Sequence, residues 1–136
     1  MIKRGECVKK EEIRTEKAPR AIGPYSQGVR IGRFVFLSGQ IPIEPVSGEV
    51  VQEGIGPQTR QALRNLQMVL EESGSSLKDV VKTTVYLKNL SGFAEMNGIY
   101  GEFFTPPYPA RATVEVSALP KGVEIEIDAI AVAGDE

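Results

Sequence analysis

The sequence predicts an α+β fold: one domain in which a mixed β-sheet of about six strands carries two helices on one face. Three observations predict it. Two segments repeat apolar residues at helical spacing. Several others alternate β-branched or aromatic residues with polar ones. The segments follow one another in the order β-β-α-β-α-β-β. A length of 136 residues suits a single hydrophobic core.

The elements are justified in chain order. Residues 1–11 are charged and read as a loosely held arm ahead of a domain spanning 12–136. "EEIRTEKAP" alternates enough for a short edge strand, stopped by Pro19. "AIGPYSQGVRIG" is rich in Gly and Pro and predicts an ordered loop leading into a strand, with room for one more short strand. "RFVFLSGQIPI" is the first strong strand signal, and "EPVSGEV" is a turn-bearing loop. "GPQTRQALRNLQMVLEESG" is a helix: Ala62, Leu63, Leu66, Val69 and Leu70 form its apolar face, and Arg60, Arg64, Gln67 and Glu71 its polar one. Gly74 suits the residue just past its end. In "KDVVKTTVYLKNL" Val81, Thr83, Val85 and Leu87 alternate with Lys82, Thr84, Tyr86 and Lys88, as a strand requires. "SGFAEMNGIYGEFF" is the second helix, with an apolar stripe of Phe93, Met96, Tyr100 and Phe103 or Phe104 and with Ser91 as its expected cap. "TPPYP" ends it, and the strands "ARATVEVSAL" and "VEIEIDAIAV" close the chain around the turn "PKG".

Two helices cover only one side of such a sheet, so the other side is left to water or to partners. Strand parity sorts the late residues. Ala112, Val114 and Val116 share a face and read as core, which leaves Arg111, Thr113, Glu115 and Ser117 on the other. Ile125, Ile127, Ala129 and Ala131 are apolar, and Glu124, Glu126, Asp128, Ile130 and Val132 take the opposite side. One reading of these mixed faces is a solvated surface with ordinary ion pairs. Ile130, Val132 and the two-sided apolarity of "RFVFLSGQI" support another: a second subunit covers the face and encloses its polar groups. Arg111 sharpens the choice, because a guanidinium in a strand needs an anion, from its own chain or from a ligand.

Composition narrows the chemistry. There is no histidine, which removes the commonest general base and every Ser-His or Cys-His pair. The single cysteine, Cys7, has no partner for a disulfide or a zinc site and reads as an incidental thiol. Neither a metal nor a cofactor is expected. A net charge of −2 gives no general attraction to nucleic acid, and the basic residues Lys3, Arg4, Lys9 and Lys10 are interleaved with Glu6, Glu11 and Glu12. The apolar runs are too short to span a bilayer and the first residues lack the apolar core of a secretory signal, so a cytoplasmic location without membrane contact is expected.

Several motifs together resemble one known family. "AIGPYSQGV", "LSGQIPI", "SGEVV", "QALRNLQMVLEESGSSLKDVVKTTVYLKNL", "FAEMNGIYGEFF", "PPYPARATVEVSALPKG" and "VEIEIDAIAV" match, in order over roughly residues 12–133, the RidA (reactive intermediate deaminase, YjgF-like) family of imine and enamine hydrolases. The resemblance implies a chorismate-mutase-like fold and a homotrimer with sheets facing inward and clefts between neighbours. It implies that Arg111 binds a substrate carboxylate and Glu126 holds the hydrolytic water. Tyr25 would line the cleft, Ser38, Gly39 and Asn97 would lie against the ligand, and Thr113 would offer backbone groups to the imine. Many relatives carry cysteine at the position of Thr113. Threonine there removes thiol chemistry and leaves hydrolysis intact if only the backbone acts.

The implied substrates are 2-imino acids such as 2-iminobutanoate, which place a carboxylate beside an electrophilic C=N carbon. Arg111 can grip that carboxylate with two parallel N–H···O bonds, fixing position and plane together. A carboxyl group with a raised pKa, here Glu126, can orient water and protonate the departing ammonia. Blander roles stay open. Glu126 could instead pair with Arg111 or a lysine, Tyr25 could plug the core edge, Asn97 could cap a loop, and Ser38 and Gly39 could mark only a strand bend. The competing functions are a trimeric sensor of 2-keto or amino acids without turnover and, less well matched by the charge, a ribonuclease or translation inhibitor.

Overall fold

A computed structural model of the chain describes residues 9–134. Cys7 and most of the expected arm lie outside these residues. The strands are β1 (Glu11–Ile13), β2 (Gly28–Ile31), β3 (Phe34–Gln40), β4 (Val80–Leu87), β5 (Ala110–Glu115) and β6 (Ile125–Val132); the helices are α1 (Ile55–Glu72) and α2 (Phe93–Phe103). They form a six-stranded sheet in the order β1-β2-β3-β6-β4-β5. Neighbours run antiparallel except β4 and β5, which are parallel. A parallel pair needs a crossover, and α2 supplies it. The fold class expected from the sequence is the one observed. The Gly/Pro-rich loop does hold an extra strand, β2, and β1 begins at Glu11, inside the stretch read as an arm.

The core lies between the sheet and the helices. Leu63, Leu66, Val69 and Leu70 of α1 are buried against β3 and β6, where Val35, Leu37, Ile125, Ile127, Ala129 and Ala131 are buried in turn. Each large side chain among them contributes about 1.5–3 kcal/mol by leaving water. Buried amides fix the loops that carry the site. Gln27 Oε1 accepts from the Thr15 N–H at 2.7 Å while its Nε2 donates to the carbonyls of Thr15 and Pro19. Asn65 Nδ2 donates to the carbonyls of Ile41 and Ile43. Gly74 sits at φ +82° just past α1, in the left-handed region where glycine is favoured.

Two local expectations are corrected. Ser91 does not cap α2: the cap position is Gly92, with no side-chain bond, and Asn89 accepts the Ser91 N–H at 2.9 Å one short turn earlier. In β5 the faces are reversed. Ala112 and Val114 are exposed on the helix-free side, whereas Arg111 and Thr113 point to the helix side, beside Thr83 and Val85 of β4. Phe93 also leaves the expected core stripe of α2 and is partly exposed above Arg111. Among the described residues nothing covers the opposite face of the sheet, and Phe34 and Phe36 stand on it 54% and 43% exposed. Edge strand β5 bounds that face on one side.

Candidate active site

Arg111 projects from β5 under α2. Its guanidinium carbon lies 4.7 Å from the centroid of the Tyr100 ring and 5.5 Å from that of Phe93. Among the described residues it makes no ion pair and no hydrogen bond, so the edge of the fork is left without an anion. It opens on a cavity of about 480 Å³ lined with it by Asn97, Tyr100, Gly101, Tyr108 and Pro109. Asn97 is exposed on α2, so Arg111 and Asn97 share one pocket. Thr113 follows on the same strand face, and its Oγ1 is buried without a partner among the described residues. The Val116 N–H donates to the Leu87 carbonyl. A parallel ladder repeats every two residues, so the N–H and C=O of Thr113 face away from β4, along the open edge.

Glu126 sits on the other side of the sheet. It stands opposite Tyr86 in the register, three positions from Ala129, which lies across β4 from Arg111. It has no cation partner among the described residues. Burial pushes its pKa up, and the neighbouring Asp128 carboxylate adds to the rise. Asp128 in turn accepts the Tyr86 hydroxyl at 3.0 Å. Gly39 lies directly against Glu126: a methyl built there would fall 2.8 Å from Cδ and 3.0 Å from Cγ. The β3–β6 register shifts between Leu37 and Gln40, the stretch that holds Ser38 and Gly39. The Ser38 hydroxyl donates to the Ser26 carbonyl at 2.5 Å, tying the bulge to the Tyr25 loop.

The expected site residues therefore fall into separate groups within one chain. Arg111, Asn97 and Thr113 lie at the β5 edge, on the helix side. Glu126, Ser38 and Gly39 lie on the uncovered face. Tyr25, 53% exposed, lines a different cavity of about 570 Å³ together with Arg14, Arg20 and Pro45. Tyr100, Phe93 and Tyr108 around Arg111, and Tyr86 and Asp128 around Glu126, were not singled out as site residues from the sequence. The available signal was a tyrosine inside a buried helical stripe, whose hydroxyl must find a partner.

The raised pKa of Glu126 has a consequence for stability. Its folded-state value lies above its unfolded one, so the folded state binds protons more tightly and loses stability as pH rises from the unfolded value through the folded one. Glu126→Gln removes that penalty. We expect the variant's melting temperature to exceed the wild type's at pH 7 and the gap to close below about pH 4, as read by thermal denaturation across pH. A gap that is unchanged, or that widens in acid, would contradict a raised pKa.

Comparison with known proteins gives a consistent picture. A family model described as Endoribonuclease L-PSP matches residues 15–133. A RutC family protein of Pyrococcus abyssi is 57% identical over 122 residues, 90% of this chain and 96% of its own. A 2-iminobutanoate/2-iminopropanoate deaminase of Salmonella typhimurium is 50% identical over 123 residues, 88% of this chain and 95% of its own. The crystal structure of Escherichia coli TdcF with bound serine superimposes with a TM-score of 0.86 at 43% identity, covering 91% of this chain and 99% of that one.

Proposed function

The chain belongs to the endoribonuclease L-PSP family, which includes the RidA and YjgF proteins, and from that premise we propose that it is a hydrolytic deaminase of 2-imino acids. The reaction is R–C(=NH)–COO⁻ + H₂O → R–C(=O)–COO⁻ + NH₃, with 2-iminobutanoate and 2-iminopropanoate as the representative substrates. The observation that carries the reading is the state of Arg111: a half-buried fork, held by aromatic faces, with no anion of its own chain among the described residues. A small carboxylate matches it in charge and plane. The 2-carboxylate so held places the imine carbon near the open backbone edge of Thr113, with Asn97 alongside.

The second half of the site comes from a neighbouring copy in a proposed homotrimer. The separation of Arg111 from Glu126 supports this, as do the exposed Phe34 and Phe36, since an uncovered aromatic sheet face favours burial against another chain. A ring of heterologous contacts sets the β5 edge of one protomer against the open face of the next. Glu126 of the partner subunit then orients the attacking water and returns a proton to the departing ammonia. Ser38 and Gly39 shape the floor beside it, and the Tyr25 loop, tied to Ser38, closes the cleft. No histidine, metal or cofactor enters this scheme. No helix among the described residues is long and apolar enough to cross a membrane, and we place the activity in the cytoplasm.

The test generates 2-iminobutanoate with a threonine dehydratase in the presence of semicarbazide. The protein is expected to divert the imine to 2-oxobutanoate in competition with the trap. Binding of 2-oxobutanoate without diversion would replace the enzyme by a sensor. RNA cleavage by the pure protein, with no diversion, would replace it by a nuclease.

A further inference from the structure

We propose that Tyr100 is a positioning residue for Arg111, holding the guanidinium by its face so that its N–H edge stays open for the substrate carboxylate. The inference rests on the reading of Arg111 as the carboxylate fork. Three contacts carry it. The cation lies 4.7 Å from the Tyr100 ring centroid, within cation–π range. The Tyr100 hydroxyl and Thr83 Oγ1 are hydrogen bonded at 2.7 Å, and Thr83 is the fully buried β4 residue paired with Arg111 in the sheet. The Phe104 ring also packs against Tyr100, with centroids 4.5 Å apart. The ring is therefore fixed from the strand next to Arg111 and from the end of its own helix, and it fixes the guanidinium in turn. Phe93 adds a second, looser wall at 5.5 Å.

The physical advantage is specific to this arrangement. Arginine loses much side-chain freedom when it is held in one geometry, and a fork already stacked loses less on binding. A carboxylate of the protein would also hold the arginine, but it would occupy the in-plane N–H groups that the ligand needs. An aromatic face restrains the plane and leaves those donors free. The same arrangement explains why a buried tyrosine sits where a leucine would fill the helical stripe.

The test compares two paired variants, each designed to leave no orphaned hydroxyl in the core: Thr83→Val with Tyr100→Phe, which keeps the ring, and Thr83→Val with Tyr100→Leu, which removes it. Binding of 2-oxobutanoate and of its neutral amide, 2-oxobutanamide, is measured by titration calorimetry, with Arg111→Ala alongside. We expect the leucine pair to bind the acid about two- to thirty-fold more weakly than the phenylalanine pair, the range a lost cation–π contact gives. The amide, which offers the fork no anion, should bind both pairs alike. Equal acid binding by the two pairs, or equal losses for acid and amide, would reduce Tyr100 to core packing and overturn the proposal. If Arg111→Ala binds the acid as wild type does, the carboxylate-fork reading itself fails and this proposal with it.

Discussion

Arg111→Lys is expected to lower kcat/KM for 2-iminobutanoate by about a hundredfold while leaving the chain folded. Lysine keeps the charge and still reaches the aromatic rings of Tyr100 and Phe93. It loses the planar pair of donors that sets the orientation of a carboxylate, and a misplacement of about 1 Å at a reacting centre is enough for that loss. The fold should tolerate the change, because Arg111 sits on an edge strand, is only half-buried and holds no ion pair among the described residues. Steady-state competition against semicarbazide reads the rate, and circular dichroism reads the fold. Activity within about threefold of wild type would show that a point charge suffices and would remove the geometric argument for the fork.

Gly39→Ala is expected to cost about 10²–10⁴ in kcat, the contribution of a positioned acid–base group. No feature of the glycine's own backbone demands this: its φ is not in the left-handed region. The reason is the overlap of a methyl group with the Glu126 carboxylate, whose Cδ would lie at 2.8 Å. The end of a glutamate is flexible, so the collision is relieved by swinging the carboxylate away rather than by moving strands. The variant should melt within a few degrees of wild type and yet fail to hydrolyse the imine. Full activity of the Gly39→Ala protein would show that the water is handled by another group.

Much of the fold was legible because its signals are local. The apolar face of α1 and the strict alternation of β6 each name their buried residues without reference to the rest of the molecule. The faces of β5 were not legible, and the reason is physical. Parity divides a strand into two sets but does not say which set meets which layer. Apolarity normally decides, on the assumption that only one layer is dry. Here the uncovered face carries its own apolar patch of Phe34, Phe36 and Ile130 beside its polar groups, and Ala112 and Val114 turn toward it. Arg111 goes to the helix side, where aromatic rings rather than water receive it.

The family resemblance supplied the candidate site residues one by one, but not their grouping within the chain. Nothing in the spacing of Gly39 and Glu126 announces that they touch. The contact arises because β6 enters the sheet between β3 and β4, far from its place in the chain. Tyr100 was hidden for the opposite reason: it fits the helical stripe so well that packing alone accounted for it.

In the proposed assembly, the sheet that keeps the anion-gripping and proton-handling groups of one chain apart makes turnover a collective property. Dilution then acts as an inhibitor. Below the concentration at which protomers part, specific activity collapses while each polypeptide retains its hydrophobic interior, and the dissociation constant of the assembly sets the lower limit of useful expression.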